Sequence, residues 1–271
     1  MPESSGERWR RRLFHVSRHP LRWARYVWAR EVRHRDVLFR ENPRFWDWSS
    51  MYRVARPSLL RLASSSPDAL DAFFHELDPL HAELLSEVGE LPSAGAMMQA
   101  PLLYVLLRAV RPKVVVETGV SSGFSARLML EAMARNDAGR LWSIGIEKIG
   151  VGAMEGARLD EVRQRPIGWL VPASLRSRWE LRVGPSEDLL PKVLAEEARP
   201  LEMFIHDSLH HYDRMSAEYA QAWPELSPGG WLLSHDIHNN RAWPDFLARE
   251  RLSGDEELDR DLGVVRVPKG T

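Results

Sequence analysis

The sequence predicts an α/β protein with a doubly wound, mostly parallel sheet. From about residue 100 onward, short apolar runs of strand length alternate with longer amphipathic stretches of helical period. The first of these runs, VVVET, is followed by a glycine- and serine-rich break, and later runs end in histidine and aspartate. Ligands of such sheets bind at the carboxyl ends of the strands, so these polar ends are where we expect the functional residues.

Strands and helices are predicted in a regular order. The predicted strands are 113–118, 139–147, 179–185, 201–207 and 231–236, and the helices that follow them are 124–136, 186–198, 213–226 and 242–252. Strands that alternate with helices of this length are typical of parallel pairing. Upstream, the stretch 67–91 predicts one or two further helices, which begin after the cap-like sequence ASSSPD.

Composition excludes several classes of protein. The formal net charge of -1 excludes a global polyelectrolyte, and the absence of cysteine removes disulfides, thiolate nucleophiles and cysteine-bound zinc. Any metal must therefore be held by His, Asp, Glu or Asn side chains. No apolar stretch approaches the length of about 20 residues that a membrane helix needs. We expect a cytoplasmic protein without a transmembrane segment.

The N-terminal segment differs in composition from the rest. Its first 61 residues are rich in arginine and contain no lysine, and five tryptophans lie among the arginines: Trp9, Trp23, Trp28, Trp46 and Trp48. Three interpretations remain open: a lid or dimerisation arm, a patch for anionic lipid, and a polyanion-binding surface. The apolar stripe at helical spacing favours the first, and hence a homo-oligomer without nucleic acid. We expect an extension over 1–95 and a ligand-binding domain over 96–271.

The loop after the first predicted strand presents a carboxylate together with glycines. In a dinucleotide-binding loop, glycines bring backbone amides against a pyrophosphate, and Glu117 would repel that group. The order Glu117, Gly119, Ser121, Gly123 instead suits a cationic or hydroxyl-rich ligand. S-adenosylmethionine is such a ligand, since it carries a sulfonium, an amino group and ribose hydroxyls.

Histidine and aspartate are concentrated at the ends of two later strands. The stretch HDSLHHY contains Asp207, His210 and His211, and the stretch HDIHNN contains His235 and Asp236. The carboxyl ends of both strands face one cleft in a parallel sheet. We therefore expect imidazoles and carboxylates to meet where a substrate hydroxyl must lose its proton.

These motifs together resemble the class I S-adenosylmethionine-dependent methyltransferases, in the branch described as methyltransferase domain 24. The resemblance covers roughly 100–250 and rests on VVVETGVSSGFSA, on IGWLVPASLRSRWELRVGPSEDLLP, on FIHDSLHHYDRMSAEYAQAWPELSPGGWLLSHDI and on NNRAWPDF. It implies a Rossmann-like, seven-stranded sheet with the cofactor over the first loop. Residues at the methionine end of the cofactor would be Glu117, Gly119, Ser121 and Gly123.

Two positions depart from the pattern of this family. Members usually end the second strand with an aspartate for the ribose hydroxyls, whereas this chain has Gly145. Glu147 lies two residues further on the same face of the strand, so we expect it to supply the carboxylate and expect Gly145→Asp to compensate for its loss. After the third strand, Ser186 is expected to bond the adenine ring. Asp207 is counted as both a cofactor-binding and a metal-binding candidate.

The chemistry of the acceptor end is left with three alternatives. Related O-methyltransferases hold a divalent metal with acids at the fourth and fifth strands, which implies Mg²⁺ or Mn²⁺ on Asp207, Asp236 and either His235 or Asn239. Because Mg²⁺ prefers oxygen ligands, a softer ion is the alternative if His235 is a ligand. Without a metal, His210 or His211 would be the general base, because imidazole titrates near neutrality. In the third alternative the histidines only bond backbone carbonyls. We count His210, Asp236 and His211 as catalytic candidates.

The sequence thus predicts an S-adenosylmethionine-dependent methyltransferase, with transfer to oxygen of a small-molecule or sugar-like acceptor. The main rival is a cofactor-binding scaffold that is catalytically degenerate or recruited to another reaction. A third class is a polyanion- or membrane-bound protein in which the N-terminal arm is the functional part.

Overall fold

A computed structural model describes residues 43–89, 96–146, 164–252, 256–259 and 261–269 of the 271-residue chain. The arginine- and tryptophan-rich arm up to residue 42 and the candidate Glu147 lie outside the described residues. The interpretations of that arm as a lid, a dimer contact or a charged surface therefore stay predictions.

The described strands form one seven-stranded sheet. Their bounds are β1 Val114–Thr118, β2 Arg140–Gly145, β3 Trp179–Val183, β4 Leu201–His206, β5 Leu226–Ser234, β6 Glu256–Asp259 and β7 Leu262–Arg266. The order across the sheet is β3-β2-β1-β4-β5-β7-β6, and β7 pairs antiparallel with both β5 and β6. All other pairs are parallel. The strand order therefore reverses between β1 and β4, which is where open α/β sheets bind ligands.

Helices cover both faces of this sheet. In chain order they are α1 Pro43–Trp46, α2 Trp48–Ala63, α3 Pro67–His75, α4 Asp78–Val88, α5 Ala100–Val110, α6 Phe124–Asn136, α7 Ser186–Lys192, α8 Tyr212–Ala222 and α9 Ala242–Arg249. The predicted helix start at 67 is confirmed, because the Ser66 hydroxyl accepts the backbone N–H of Ala69 at 3.2 Å and Pro67 opens the first turn.

Two apolar layers hold the helices against the sheet. One contains the buried residues of α2 to α6 together with Val115, Met203 and Leu233 of the central strands. The other contains the buried residues of α7, α8 and α9 together with Val116, Phe204 and Leu232. Successive strand residues alternate between the two layers, as the period of two requires. The doubly wound α/β class expected from the sequence is confirmed.

The helices before residue 89 share this core with the sheet. Met51, Ala55 and Leu59 of α2 are buried in the same layer as α5 and α6. Arg127 of α6 is 5% exposed and forms ion pairs with Glu83 at 2.6 Å and Glu87 at 3.2 Å in α4. The part of the proposed extension that the structure describes is thus a layer of the domain.

Deleting residues 1–60 is expected to unfold the protein rather than only to remove a lid. The deletion takes away most of α2, and Leu59 and Ala55 are fully buried against the remaining helices. The deletion removes several buried side chains from this layer, and truncation of one large buried apolar side chain typically costs about 2–5 kcal/mol in the free energy of unfolding. Thermal unfolding followed by circular dichroism tests this expectation. If the truncated chain unfolds cooperatively at the same midpoint temperature as the full chain, α2 is dispensable for folding.

Candidate cofactor and acceptor site

A cleft of about 600 Å³ opens at the carboxyl ends of the parallel strands. It is of the size that small-molecule ligands occupy in proteins. Its wall is formed by Ala96, Met97, Gly119, Val120, Ser121, Ile144, Gly145, Ile146, Gly184, Pro185, Ser186, Glu187, Asp207, Ser208, Leu209, His210, Arg214, His235 and Asp236. The loop after β1 and the strand ends with histidine and aspartate therefore meet in one cleft, as the sequence predicts.

The loop after β1 is held in a conformation that only glycine adopts readily. Gly119 has a φ of +92°, and a Cβ there would lie 2.1 Å from the backbone oxygen of Asp207. Gly123 has a φ of +83° and begins α6. Between them, the hydroxyl of Ser121 is buried and has no hydrogen-bond partner among the described residues. The loop thus offers close-approach backbone and one unsatisfied hydroxyl to a ligand.

Glu117 lies beneath this loop and is absent from the wall of the cleft. Its side chain is fully buried, and its carboxyl oxygens accept hydrogen bonds from Ser143 at 2.6 Å and Ser125 at 3.1 Å. Ser143 in turn accepts the indole N–H of Trp179. The side chain of Glu117 points toward β2 and α6, so it does not reach a ligand in the cleft directly. Burial raises the pKa of Glu117 to about 8.

Stability is expected to fall as the pH rises toward 8. Below the ordinary pKa of 4.5 the Glu117 carboxyl is protonated in both the folded and the unfolded chain, so it carries no penalty. Between 4.5 and about 8 only the unfolded chain releases the proton, which favours unfolding by a few kcal/mol at about 1.4 kcal/mol per pKa unit. We expect Glu117→Gln to be more stable than the native chain at pH 8 and not at pH 4.5. Urea titrations at both pH values measure the free energies of unfolding, with substitution of the half-exposed Glu180 by Gln as the control. If the difference in free energy of unfolding between Glu117→Gln and the native chain is the same at both pH values, this expectation is wrong.

Apolar side chains surround Gly145. A Cβ at this position would lie 2.7 Å from Ile167 Cδ1 and 3.0 Å from Val120 Cγ2. An aspartate there requires the end of the Ile167 side chain to move. The role of Glu147 and the compensation by Gly145→Asp stay predictions.

Ser186 reaches the wall of the cleft, but its hydroxyl donates to a buried carboxylate, that of Glu218 in α8, at 2.5 Å. The same carboxylate accepts hydrogen bonds from Thr118 at 2.5 Å, Ser208 at 2.7 Å and the Nδ1 of His206 at 2.7 Å. Burial works to raise the pKa of Glu218, but the hydrogen bond from His206 and the other donors hold it below its usual range.

Glu218 thus connects the ends of β1 and β4, the start of α7 and the loop after β4. The sequence motifs did not predict a role for Glu218. Its signal is a lone acid on the apolar face of α8, one helical turn after buried Met215.

Four side chains, Asp207, His210, His235 and Asp236, form a His–Asp cluster at one end of the cleft. Asp207 Oδ1 lies 2.7 Å from His235 Nδ1 and 3.5 Å from His210 Nε2. Asp236 Oδ2 lies 3.3 Å from His210 Nδ1, so the imidazole of His210 connects two carboxylates. All four side chains belong to the wall of the cleft. The candidates His210, His235 and Asp236 thus lie together with Asp207.

The Asp207 and His235 pair is an ion pair. Burial by itself raises the pKa of Asp207, but the charge and hydrogen bond of His235, together with nearby His210, hold that pKa at about 2. Burial lowers the pKa of His235, and this effect is exceeded by the charge and hydrogen bond of Asp207, which raise it to about 9. Around neutral pH this pair therefore consists of a carboxylate and an imidazolium.

His211 lies away from the cleft. It is exposed and precedes the first residue of α8, and it does not contribute to the wall of the cleft. The geometry gives it no access to a ligand there, in contrast to the expectation that it is catalytic. His206 is buried beneath the cleft and is used to bond Glu218. Asn239, the alternative metal ligand, is exposed and its N–H bonds the backbone oxygen of Asp236.

Comparison with known proteins identifies the domain that carries this cleft. Residues 116–237 match the model of a family described as Methyltransferase domain. These residues form a methyltransferase domain. This domain includes the loop after β1, Glu218 and the complete His–Asp cluster, and the family expected from the sequence motifs is confirmed.

The chain is similar to several solved structures, of which one supports the fold of this domain. The O-methyltransferase NovP is 18% identical, covers 73% of this chain and 98% of its own, and superposes with a TM-score of 0.53. An O-methyltransferase from Bacillus cereus in complex with SAH is 15% identical, with coverages of 73% and 91% and a TM-score of 0.47. No curated protein matches the sequence. In the described parts of the methyltransferase, no helix is both long and apolar enough to cross a membrane.

Proposed function

We propose that the protein transfers a methyl group from S-adenosylmethionine to a hydroxyl of a small-molecule or sugar-like acceptor. The observation that carries the proposal is the continuity of one cleft, within the methyltransferase domain, from the glycine loop after β1 to the His–Asp cluster. A cofactor bound over the loop and a hydroxyl bound at the cluster would share that space.

The residues at the loop end suit the cofactor. The backbone around Gly119 and the unsatisfied hydroxyl of Ser121 offer hydrogen bonds to its polar groups, and Val120 and Ile146 offer apolar surface to its ring. S-adenosylmethionine supplies an electrophilic methyl group on its sulfonium.

The residues at the other end suit removal of a proton. Methyl transfer forms a bond between the acceptor oxygen and the methyl carbon, breaks the bond between that carbon and sulfur, and releases the proton of the hydroxyl. His210 is partly buried between Asp207 and Asp236, so a positive charge that develops on its ring is stabilised from both sides. The cluster therefore has the groups to receive that proton.

The names of the structural neighbours agree with oxygen as the acceptor atom. NovP, the neighbour with the TM-score of 0.53, is an O-methyltransferase, and 98% of its length aligns with this chain. Its likeness supports the fold, and the choice of oxygen rests on the His–Asp cluster.

One observation favours the rival function, a cofactor scaffold without methyl transfer. Gly145 stands where the family usually carries the ribose-binding acid, and the apolar side chains of Ile167 and Val120 surround it. A scaffold of this kind would bind S-adenosylhomocysteine but would not turn over.

Transfer of isotopically labelled methyl from S-adenosylmethionine to a panel of phenols, catechols and glycosides tests the proposal. Mass spectrometry of the products should show one added methyl group on oxygen. Binding of the cofactor without transfer to any hydroxyl, or transfer only to amines, would contradict it.

A further inference from the structure

The His–Asp cluster contains three side chains in an arrangement that fits a metal ion. One potential ligand atom each from Asp207, His210 and His235 lies within 4.8 Å of the other two. The set expected from the sequence was Asp207, Asp236 and His235. The structure replaces Asp236 by His210, because the loop after β4 turns the His210 ring toward Asp207 and leaves Asp236 on the other side of that ring.

The two nitrogen atoms of His210 differ in their surroundings. Nε2 is buried, lies 3.5 Å from Asp207 Oδ1 and has no hydrogen-bond partner among the described residues. Nδ1 lies 3.3 Å from Asp236 Oδ2. A histidine that ligates a metal commonly donates its other N–H to a carboxylate, which fixes the ring and raises the basicity of the ligating nitrogen. His210 has both features, an unsatisfied nitrogen toward Asp207 and a carboxylate behind the ring.

The donor atoms decide which kind of ion fits. Mg²⁺ prefers oxygen ligands and near-ideal octahedral geometry, whereas this set offers two imidazole nitrogens and one carboxylate oxygen. Imidazole suits first-row transition ions, and a set of two histidines and one carboxylate is typical of sites for such ions with open positions.

We infer that Asp207, His210 and His235 bind a divalent first-row transition ion, such as Co²⁺ or Zn²⁺, in preference to Mg²⁺, with Asp236 as a positioning residue behind His210. Binding of the ion would displace the proton that Asp207 and His235 share. Such an ion lowers the pKa of a hydroxyl next to it. With the ion bound, His210 is a ligand, and the ion instead of the free imidazole would promote loss of the hydroxyl proton, so its use in methyl transfer rests on the proposed function. The binding of the ion itself does not.

Metal titration of the full chain, free of any histidine tag and stripped with a chelator, tests the inference. We expect Co²⁺ to bind with a visible absorption band of nitrogen and oxygen coordination, Zn²⁺ to displace it, and Mg²⁺ to bind more weakly in calorimetry. His210→Ala and His235→Ala should lose the Co²⁺ band. Asp236→Asn should keep the band and bind about 10- to 100-fold more weakly.

His211→Ala is the matched control, because His211 adjoins His210 in the chain and is exposed outside the cleft. Circular dichroism should be used to check that each variant is folded. If an alanine variant does not fold, the conservative Asp236→Asn variant still provides the test. Mg²⁺ binding as tight as that of Co²⁺, or the same Co²⁺ affinity in native, His210→Ala and His211→Ala chains, would overturn the inference. Failure to bind S-adenosylhomocysteine while Co²⁺ still binds would contradict the proposed function and leave the metal site standing.

Discussion

Gly119→Ala is expected to lose the cleft and most of the stability of the domain. A Cβ at this position meets the backbone of Asp207 and Ser208, at 2.1 Å from the oxygen of Asp207, and the φ of +92° is strained for any other residue. Neither backbone can move without breaking the contact between β1 and β4. We expect a loss of about 3–5 kcal/mol in the free energy of unfolding, the range of severe single substitutions. Urea titration measures it.

Gly139→Ala is the matched control for this substitution. Gly139 has a φ of +99°, and a Cβ there would lie 2.7 Å from the Pro112 oxygen, outside the wall of the cleft. Both variants should lose stability. At a temperature where both are folded, only Gly119→Ala should fail to bind S-adenosylhomocysteine. Native-like stability of Gly119→Ala would mean that the loop after β1 does not have this conformation.

His210→Ala is expected to lower turnover by about 10²- to 10⁴-fold, the loss typical of a missing proton-transfer group. The imidazole is the group that connects Asp207 and Asp236 at the acceptor end of the cleft. Binding of S-adenosylhomocysteine should survive, since the loop after β1 is untouched. Turnover with an identified acceptor and calorimetry with the product separate the two effects.

Two comparisons make this result specific. His211→Ala should keep native turnover, because that side chain is exposed beyond the cleft. Asp236→Ala should lose turnover like His210→Ala, since Asp236 lies 3.3 Å from His210 Nδ1. If His210→Ala and Asp236→Ala are both fully active, the His–Asp cluster is a structural network and not the reaction centre.

The order of strands and helices was predictable from the sequence because each element repeats its apolar residues with its own period. The valines of β1 and the apolar stripe of α8 are examples, and both form where predicted. Helix α5 was not predicted, because nearly all of its residues are apolar and buried, and such a run cannot be assigned to helix or strand by periodicity alone. The antiparallel strands β6 and β7 were not predicted individually because each is only four or five residues long.

The candidate site was predictable as a set of strand ends but not as a set of contacts. A sequence places Glu117 at the end of β1, yet only packing decides that its carboxyl turns inward to Ser143 and Ser125. Packing likewise decides that His210, and not Asp236, lies with Asp207 and His235 in the arrangement that fits a metal ion. This arrangement depends on the path of the loop after β4, and residue spacing does not encode that path.

Calorimetric titration of S-adenosylmethionine and S-adenosylhomocysteine into the full chain tests the central claim most directly. The structure predicts binding of both at one site, with NAD as a control that does not bind because the loop after β1 lacks the pyrophosphate fingerprint. Binding should be lost in folded Gly119→Ala and kept in Gly139→Ala. If neither compound binds the native chain, or if NAD binds as well as they do, the assignment of this cleft to S-adenosylmethionine is contradicted.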